Sequence, residues 1–161
     1  YPNIEIIIGK VTDSELLDIC YRSDCFVYPS RGEGFGIPPL EAMATGMSAI
    51  VPNAHGISEY FNAEFMYEAK VSHYCPGLYS RYKGQDVGKM VVCDVDQLAS
   101  QMRYIYEHQE EAMEVGKKAA EYVKNWTFAK TAGMLKDIIE TAYQKIPANT
   151  PVNNKLILHL I

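Results

Sequence analysis

Apolar residues along this chain fall into two kinds of run. Some are short, dense and β-branched, and others recur every three or four positions. The first kind opens the chain at Ile4–Gly9 (IEIIIG), which reads as a buried strand. It returns at Cys25–Tyr28 (CFVY), ended by Pro29, at Ser48–Val51, stopped by Pro52, and at Val91–Cys93. Helix signals lie between these runs. Thr12-x-x-Glu15 is a capping box and predicts a helix from Asp13 to about Arg22. Pro38 or Pro39 suits a first helical turn, where a missing N–H costs nothing, and Gly46 ends the helix that runs through Leu40, Met43 and Ala44. Ile57–Phe61 begins another helix, and Asp94-x-x-Gln97 caps one over Gln97–His108. One-face spacing of Ala112, Val115, Ala119, Tyr122 and Val123 predicts a helix over Glu110–Asn125. Leu135, Ile138, Ile139 and Ala142 predict another over Thr127–Lys145. Strand, helix, strand, helix, strand is the order of an α/β fold with a parallel sheet.

Two stretches break the pattern. Asn62–Met90 holds Cys75-Pro76-Gly77, Tyr79, Tyr82 and Gly84 without a clear period, and reads as a long loop or irregular excursion. Pro147–Asn154 is a polar tail, followed by the apolar run Lys155–Ile161 (KLILHLI).

Composition narrows the picture. A chain of 161 residues, 48% hydrophobic, is long enough for one domain with a proper core. A net charge of -5 with no basic run argues against nucleic acid as the main partner. No apolar run approaches the roughly 20 residues of a membrane span. The opening Tyr1-Pro2, without Met, suggests a piece of a longer protein. Cys20, Cys25, Cys75 and Cys93 have neither metal-binding nor redox spacing, so free thiols and a cytoplasmic location are expected.

The chemistry concentrates in Ser30–Gly46 (SRGEGFGIPPLEAMATG). A glycine loop between a strand end and a helix start exposes backbone N–H groups, and the helix dipole favours an anion there. Open α/β sheets bind ligands at that edge. Glu33 and Glu41 would repel a bare phosphate, but carboxylates suit vicinal hydroxyls. A nucleotide sugar carries both phosphates and diols. The same two residues also fit a plainer role, Glu41 complementing the helix dipole and Glu33 solvated in its loop, and their spacing alone does not choose. GEGFG lacks the G-x-G-x-x-G spacing of a dinucleotide fingerprint.

The run VYPSRGEGFGIPPLEAMATG, Val27–Gly46, resembles the signature of retaining glycosyltransferases of family 4, which have the two-domain GT-B fold. Gly9 with Thr12–Leu16, His55-Gly56-Ile57-Ser58-Glu59 and Trp126-Thr127-Phe128 resemble further elements of that pattern. The resemblance implies a Rossmann-like parallel sheet flanked by helices, the C-terminal half of a GT-B glycosyltransferase. On that reading residues 1–145 are part of the nucleotide-sugar-binding domain and 146–161 a C-terminal tail. Glu33, the catalytic residue of the set, would contact hydroxyls of the donor hexose near the reacting carbon, and Glu41 would hold the ribose diol. The backbone of Gly34, Phe35, Gly36 and Ile37, with His55, would meet the sugar and the diphosphate. No metal and no cofactor beyond the nucleotide-diphosphate sugar is implied.

The implied reaction is transfer of a hexosyl group to an acceptor hydroxyl with retention. The other cleft wall would come from an N-terminal acceptor domain that this chain lacks, the acceptor could sit at a membrane surface, and the chain alone would have little activity. Rival readings are a non-catalytic nucleotide-binding module, a nucleotide-sugar epimerase, a glycan phosphorylase or half of a dehydrogenase. The chain departs from the resembled pattern at Ser48 (usually Pro) and at His55 (usually Gly). Asn62–Met90 also departs, replacing a short segment. Arg31 lies near the loop without occupying the place of the family's basic clamp, and Glu59 matches a position that is often structural.

Overall fold

The computed structural model describes residues 3–78 and 84–145. Tyr79, Tyr82 and the tail 146–161, with its run Lys155–Ile161, lie outside the described residues. The chain divides into two units, one ending at Asn125 and one beginning at Trp126.

In the first unit the order is α1 (Asp13–Tyr21), β1 (Cys25–Val27), α2 (Ile37–Ala44), β2 (Ser48–Val51), a 3-10 turn (His55–Glu59), β3 (Tyr67–Glu68), β4 (Val71–Leu78), β5 (Asp86–Cys93), α3 (Val95–Glu107) and α4 (Gln109–Val123). Strands β1, β2 and β3 form a parallel sheet in that order, with Cys25 opposite Ser48 and Ile50 opposite Tyr67. β4 and β5 form a separate antiparallel pair.

Local chemistry explains the helix ends. The Thr12 hydroxyl accepts from the Glu15 N–H while the Glu15 carboxylate accepts from the Thr12 N–H at 2.7 Å, closing the predicted capping box. Asp94 caps α3 by accepting from the Gln97 N–H at 3.0 Å. Gly46 follows α2 at φ 88°, the left-handed turn that a glycine tolerates best.

The sheet is covered on both faces, and β2 shows why. Its four residues are all buried. Ala49 and Val51 point into a cluster with Leu40 and Met43 of α2, Ile57, Tyr60, and Ala119 and Val123 of α4. Ile50 points the other way, into a cluster with Ala69, Ile105 of α3 and Ala112 at the start of α4. A strand buried on both faces reads as a continuous apolar run, as SAIV does. Burying each large apolar side chain here contributes about 1.5–3 kcal/mol.

Three expectations need correction. Ile4–Gly9 is not a strand, and Ile4, Ile6, Ile7 and Ile8 are 62%, 76%, 51% and 90% exposed. A strand needs a neighbour for its ladder, and none of the described strands pairs with this run. Ile57–Phe61 does not begin an α-helix; a single 3-10 turn over His55–Glu59 stands there. Asn62–Met90 is no irregular loop, because β3, β4 and most of β5 lie in it.

The second unit holds α5 (Phe128–Gln144), with Thr127 as its cap, accepting from the Lys130 N–H at 3.3 Å. Phe128, Met134, Leu135, Ile138, Ile139 and Tyr143 are all exposed on it.

Two stability predictions follow from close contacts. A Cβ on Gly116 of α4 would lie 2.1 Å from the Gly46 carbonyl oxygen and 3.0 Å from the Ser48 nitrogen. Glycine to alanine inside a helix normally gains close to 1 kcal/mol. Here Gly116→Ala should instead cost about 1–3 kcal/mol through the forced backbone shift, measured by urea unfolding. Tyr67 carries a buried hydroxyl without a hydrogen-bond partner among the described residues, and burial, followed by the nearby Glu111 carboxylate, pushes its pKa up to about 12. Removing that oxygen in Tyr67→Phe should leave stability unchanged or raise it by about 1 kcal/mol in the same assay.

Candidate donor site

Because β1, β2 and β3 run parallel, their carboxyl ends share one edge of the sheet. β1 leads into the Glu33 loop, β2 into the His55 turn and β3 into the β4–β5 hairpin. Open α/β sheets place ligands at this edge.

Glu33 is half-buried, and its Oε1 accepts two hydrogen bonds of 2.7 Å, from the Tyr28 hydroxyl and the Ser30 hydroxyl. Both fall on one oxygen, so neither occupies Oε2. The bond to Glu33 holds the Tyr28 hydroxyl above the usual tyrosine range, with burial and the carboxylate's charge adding to the effect. Tyr28 therefore stays a proton donor to Glu33 through the neutral range, and the carboxylate is fixed in direction.

The loop after Glu33 is shaped by backbone contacts. Gly36, at φ 84°, is the N-cap of α2, and no side chain caps that helix. A Cβ there would meet Ile57 Cγ1 at 2.7 Å and the Tyr60 hydroxyl at 2.9 Å. The buried Tyr60 hydroxyl donates to the Gly36 carbonyl at 2.6 Å, and its ring lies 5.5 Å from that of Phe35. Burial first, then the Glu33 charge, raises the Tyr60 pKa far above its ordinary value, so this donor also persists. Ile37 opens α2, and Pro38 and Pro39 follow it.

His55 is brought to the loop by its neighbour. The Gly56 N–H donates to the Glu33 carbonyl at 3.3 Å, and a Cβ on Gly56 would lie 2.2 Å from the Gly34 oxygen and 2.5 Å from the Phe35 Cα. His55 itself has φ 52°, a left-handed backbone that costs a non-glycine residue roughly 1–2 kcal/mol. That conformation gives a physical reason for a glycine at this point in the resembled pattern. Glu41 stands exposed on α2, just over a turn from the loop. Glu33, Gly34, Phe35, Gly36, Ile37 and His55 are therefore gathered in one place, with Glu41 set apart along the helix.

Several participants were not apparent from the sequence. Tyr28 and Ser30 orient Glu33, Tyr60 holds Gly36, and Gly56 seats the loop. Their residue types lay in view, but each role depends on a contact made through the fold. Arg31 does not reach into the loop; its Nη2 donates to Cys75 Sγ of β4 at 2.9 Å. His73 faces Ser72, and His108 stacks on Tyr104 with ring centroids 4.1 Å apart, away from the loop. Burial raises the thiol pKa of Cys25 and of Cys93, and Cys20, Cys25, Cys75 and Cys93 are all free thiols. Among the described residues no His, Cys, Asp and Glu cluster could hold a metal ion.

Residues 4–71 match the family model of the glycosyl transferases group 1. This segment contains the Glu33 loop, α2 and the His55 turn. The chain is 39% identical over 59 residues to a serotype-specific mannosyltransferase of Escherichia coli, covering 37% of this chain and 7% of that protein. A lipopolysaccharide core biosynthesis mannosyltransferase of Rhizobium meliloti is 52% identical over 40 residues, covering 24% of this chain and 11% of its own length. A glycogen synthase of Mycobacterium tuberculosis is 38% identical over 52 residues, 32% of this chain and 13% of that protein. The matches thus span a small fraction of each relative, 7% in the first. The group 1 segment ends as β4 begins, so all but the first residue of the hairpin lies outside it.

The Tyr28–Glu33 bond predicts a linked titration. In Glu33→Gln the Tyr28 pKa should fall back toward about 10, read from its ring carbon by NMR. A hydroxyl whose pKa is raised by folding stabilises the protein fully below the unfolded value, and the gain is lost as pH rises through the folded one. The native chain should therefore lose stability more steeply above about pH 10 than Glu33→Gln does.

Proposed function

We propose that this chain carries the donor-binding part of a retaining hexosyltransferase that uses a nucleotide-diphosphate sugar. The observation that supports this most strongly is the fixed Glu33 carboxylate beside an uncapped helix start, inside the segment that matches the group 1 family. The backbone N–H groups of Gly34–Ile37 would meet the diphosphate and sugar, where the helix dipole stabilises charge developing on the leaving phosphate. Glu33 would accept from hexose hydroxyls near the reacting carbon, oriented by Tyr28 and Ser30. His55 would lie along the sugar side, and Glu41 would take the ribose diol bidentately. The helix dipole would stand in for a metal at the leaving group. Acceptor binding would belong to a further domain, and transfer by this chain alone would be slight.

Calorimetric titration with UDP, GDP and ADP, each alone and as its glucose or mannose conjugate, tests the reading. One nucleotide should bind, and Glu41→Ala should weaken it roughly tenfold or more, the worth of a charge-assisted contact of about 1.5–3 kcal/mol. Binding that ignores Glu41→Ala would remove the ribose assignment.

A further inference from the structure

The hairpin outside the matched segment is fastened to the site at one level. The Arg31 carbonyl, two residues before Glu33, accepts from the Val91 N–H of β5 at 2.8 Å. The Arg31 guanidinium donates to Cys75 of β4. Val91 is the cross-strand partner of Tyr74, and Cys75 is its chain neighbour. Both grips of Arg31 therefore hold the backbone around Tyr74. A third contact falls on Tyr74 itself, whose ring meets that of His55 edge-on at 6.4 Å. Val91 is 1% exposed, whereas Tyr74 is 58% exposed, so the hairpin is buried where it is anchored and leaves this ring open.

Resting on the donor-site reading, we propose that Tyr74, backed by His55, is the side wall against which the donor hexose lies, which makes the β4–β5 hairpin a determinant of donor-sugar choice. Tyr74 reaches the site through Arg31 and His55, the two residues flanking the Glu33–Gly34 and Gly56 contact. It is thus tied to the Glu33 side of the loop, and among the described contacts none links it to Glu41 on α2. A pyranose presents polar hydroxyls around its rim and C–H bonds on its faces. The Glu33 carboxylate answers the hydroxyls, and an open aromatic ring answers a C–H face. Ligand sites commonly combine a few fixed polar groups with an aromatic wall of this kind.

The test uses the same chain and the same panel, UDP, GDP and ADP alone and as glucose or mannose conjugates, with Tyr74→Ala and Tyr74→Phe. Tyr74→Ala should weaken the nucleotide sugar roughly tenfold while leaving the parent nucleotide within about twofold, and Tyr74→Phe should keep native affinity for both. An exposed ring is removed, so circular dichroism and the thermal midpoint should match the native chain. If Tyr74→Ala leaves the nucleotide sugar unaffected, or weakens sugar and bare nucleotide equally, the Tyr74 assignment falls while the donor site stands. If the native chain binds none of the panel, the donor-site reading falls and the assignment with it.

Discussion

The approach of Gly56 to Gly34 and Phe35 sets the geometry at the carboxyl edge of this protein's parallel sheet. Two stretches of main chain meet there at a distance that leaves no room for a Cβ. The contact fixes the loop after β1 against the turn after β2, and Tyr60 locks the next residue through the Gly36 carbonyl. Contacts within the fold thus set the shape of the loop. The strained backbone at His55 accompanies the same approach, offset by the buried Ile57 within the turn and Tyr60 just after it.

That edge depends in turn on β2. The strand is four residues long, but it faces α2 and α4 on one side and α3 on the other, and it pairs with β1 and β3. Gly116 lets α4 press onto the turn that feeds β2. Arg31 extends the arrangement outward: its main chain and its side chain hold opposite strands of the hairpin, which fastens that ribbon to the Glu33 loop.

What could be read in the sequence was what is local. Thr12 with Glu15, Asp94 with Gln97, Thr127, and Gly46 each define a helix end through bonds spanning a few residues. SAIV announced itself because both faces of β2 are buried. IEIIIG misled because β-branched composition describes a strand's side chains and says nothing of whether a neighbouring strand exists. The hairpin stayed hidden for the opposite reason. One face of β4 (Ser72, Tyr74, Pro76, Leu78) is wholly exposed and the other is only partly buried, Pro76 and Gly77 interrupt the run, and its register shifts twice, so no clean apolar alternation marks it in the sequence. At the site, Glu33, Glu41 and the glycines were legible as a motif. The roles of Tyr28, Ser30 and Tyr60 were not, nor was the contact that Gly56 makes, since each acts across a gap that only the fold closes.

The two prolines after Ile37 carry a consequence for competing anions. An ordinary helix start offers amide protons at each of its first three positions, and a compact tetrahedral ion can sit on the axis and collect them. In α2 the second and third positions are Pro38 and Pro39, which have no such proton. Of these three positions only Ile37 carries an amide proton. Free phosphate or sulfate would gain little from such a helix start, while the elongated diphosphate of the proposed donor would lie along Gly34–Ile37. On the proposed reading, the start of α2 would thus select an anion by its shape, favouring an extended diphosphate over a compact tetrahedral ion.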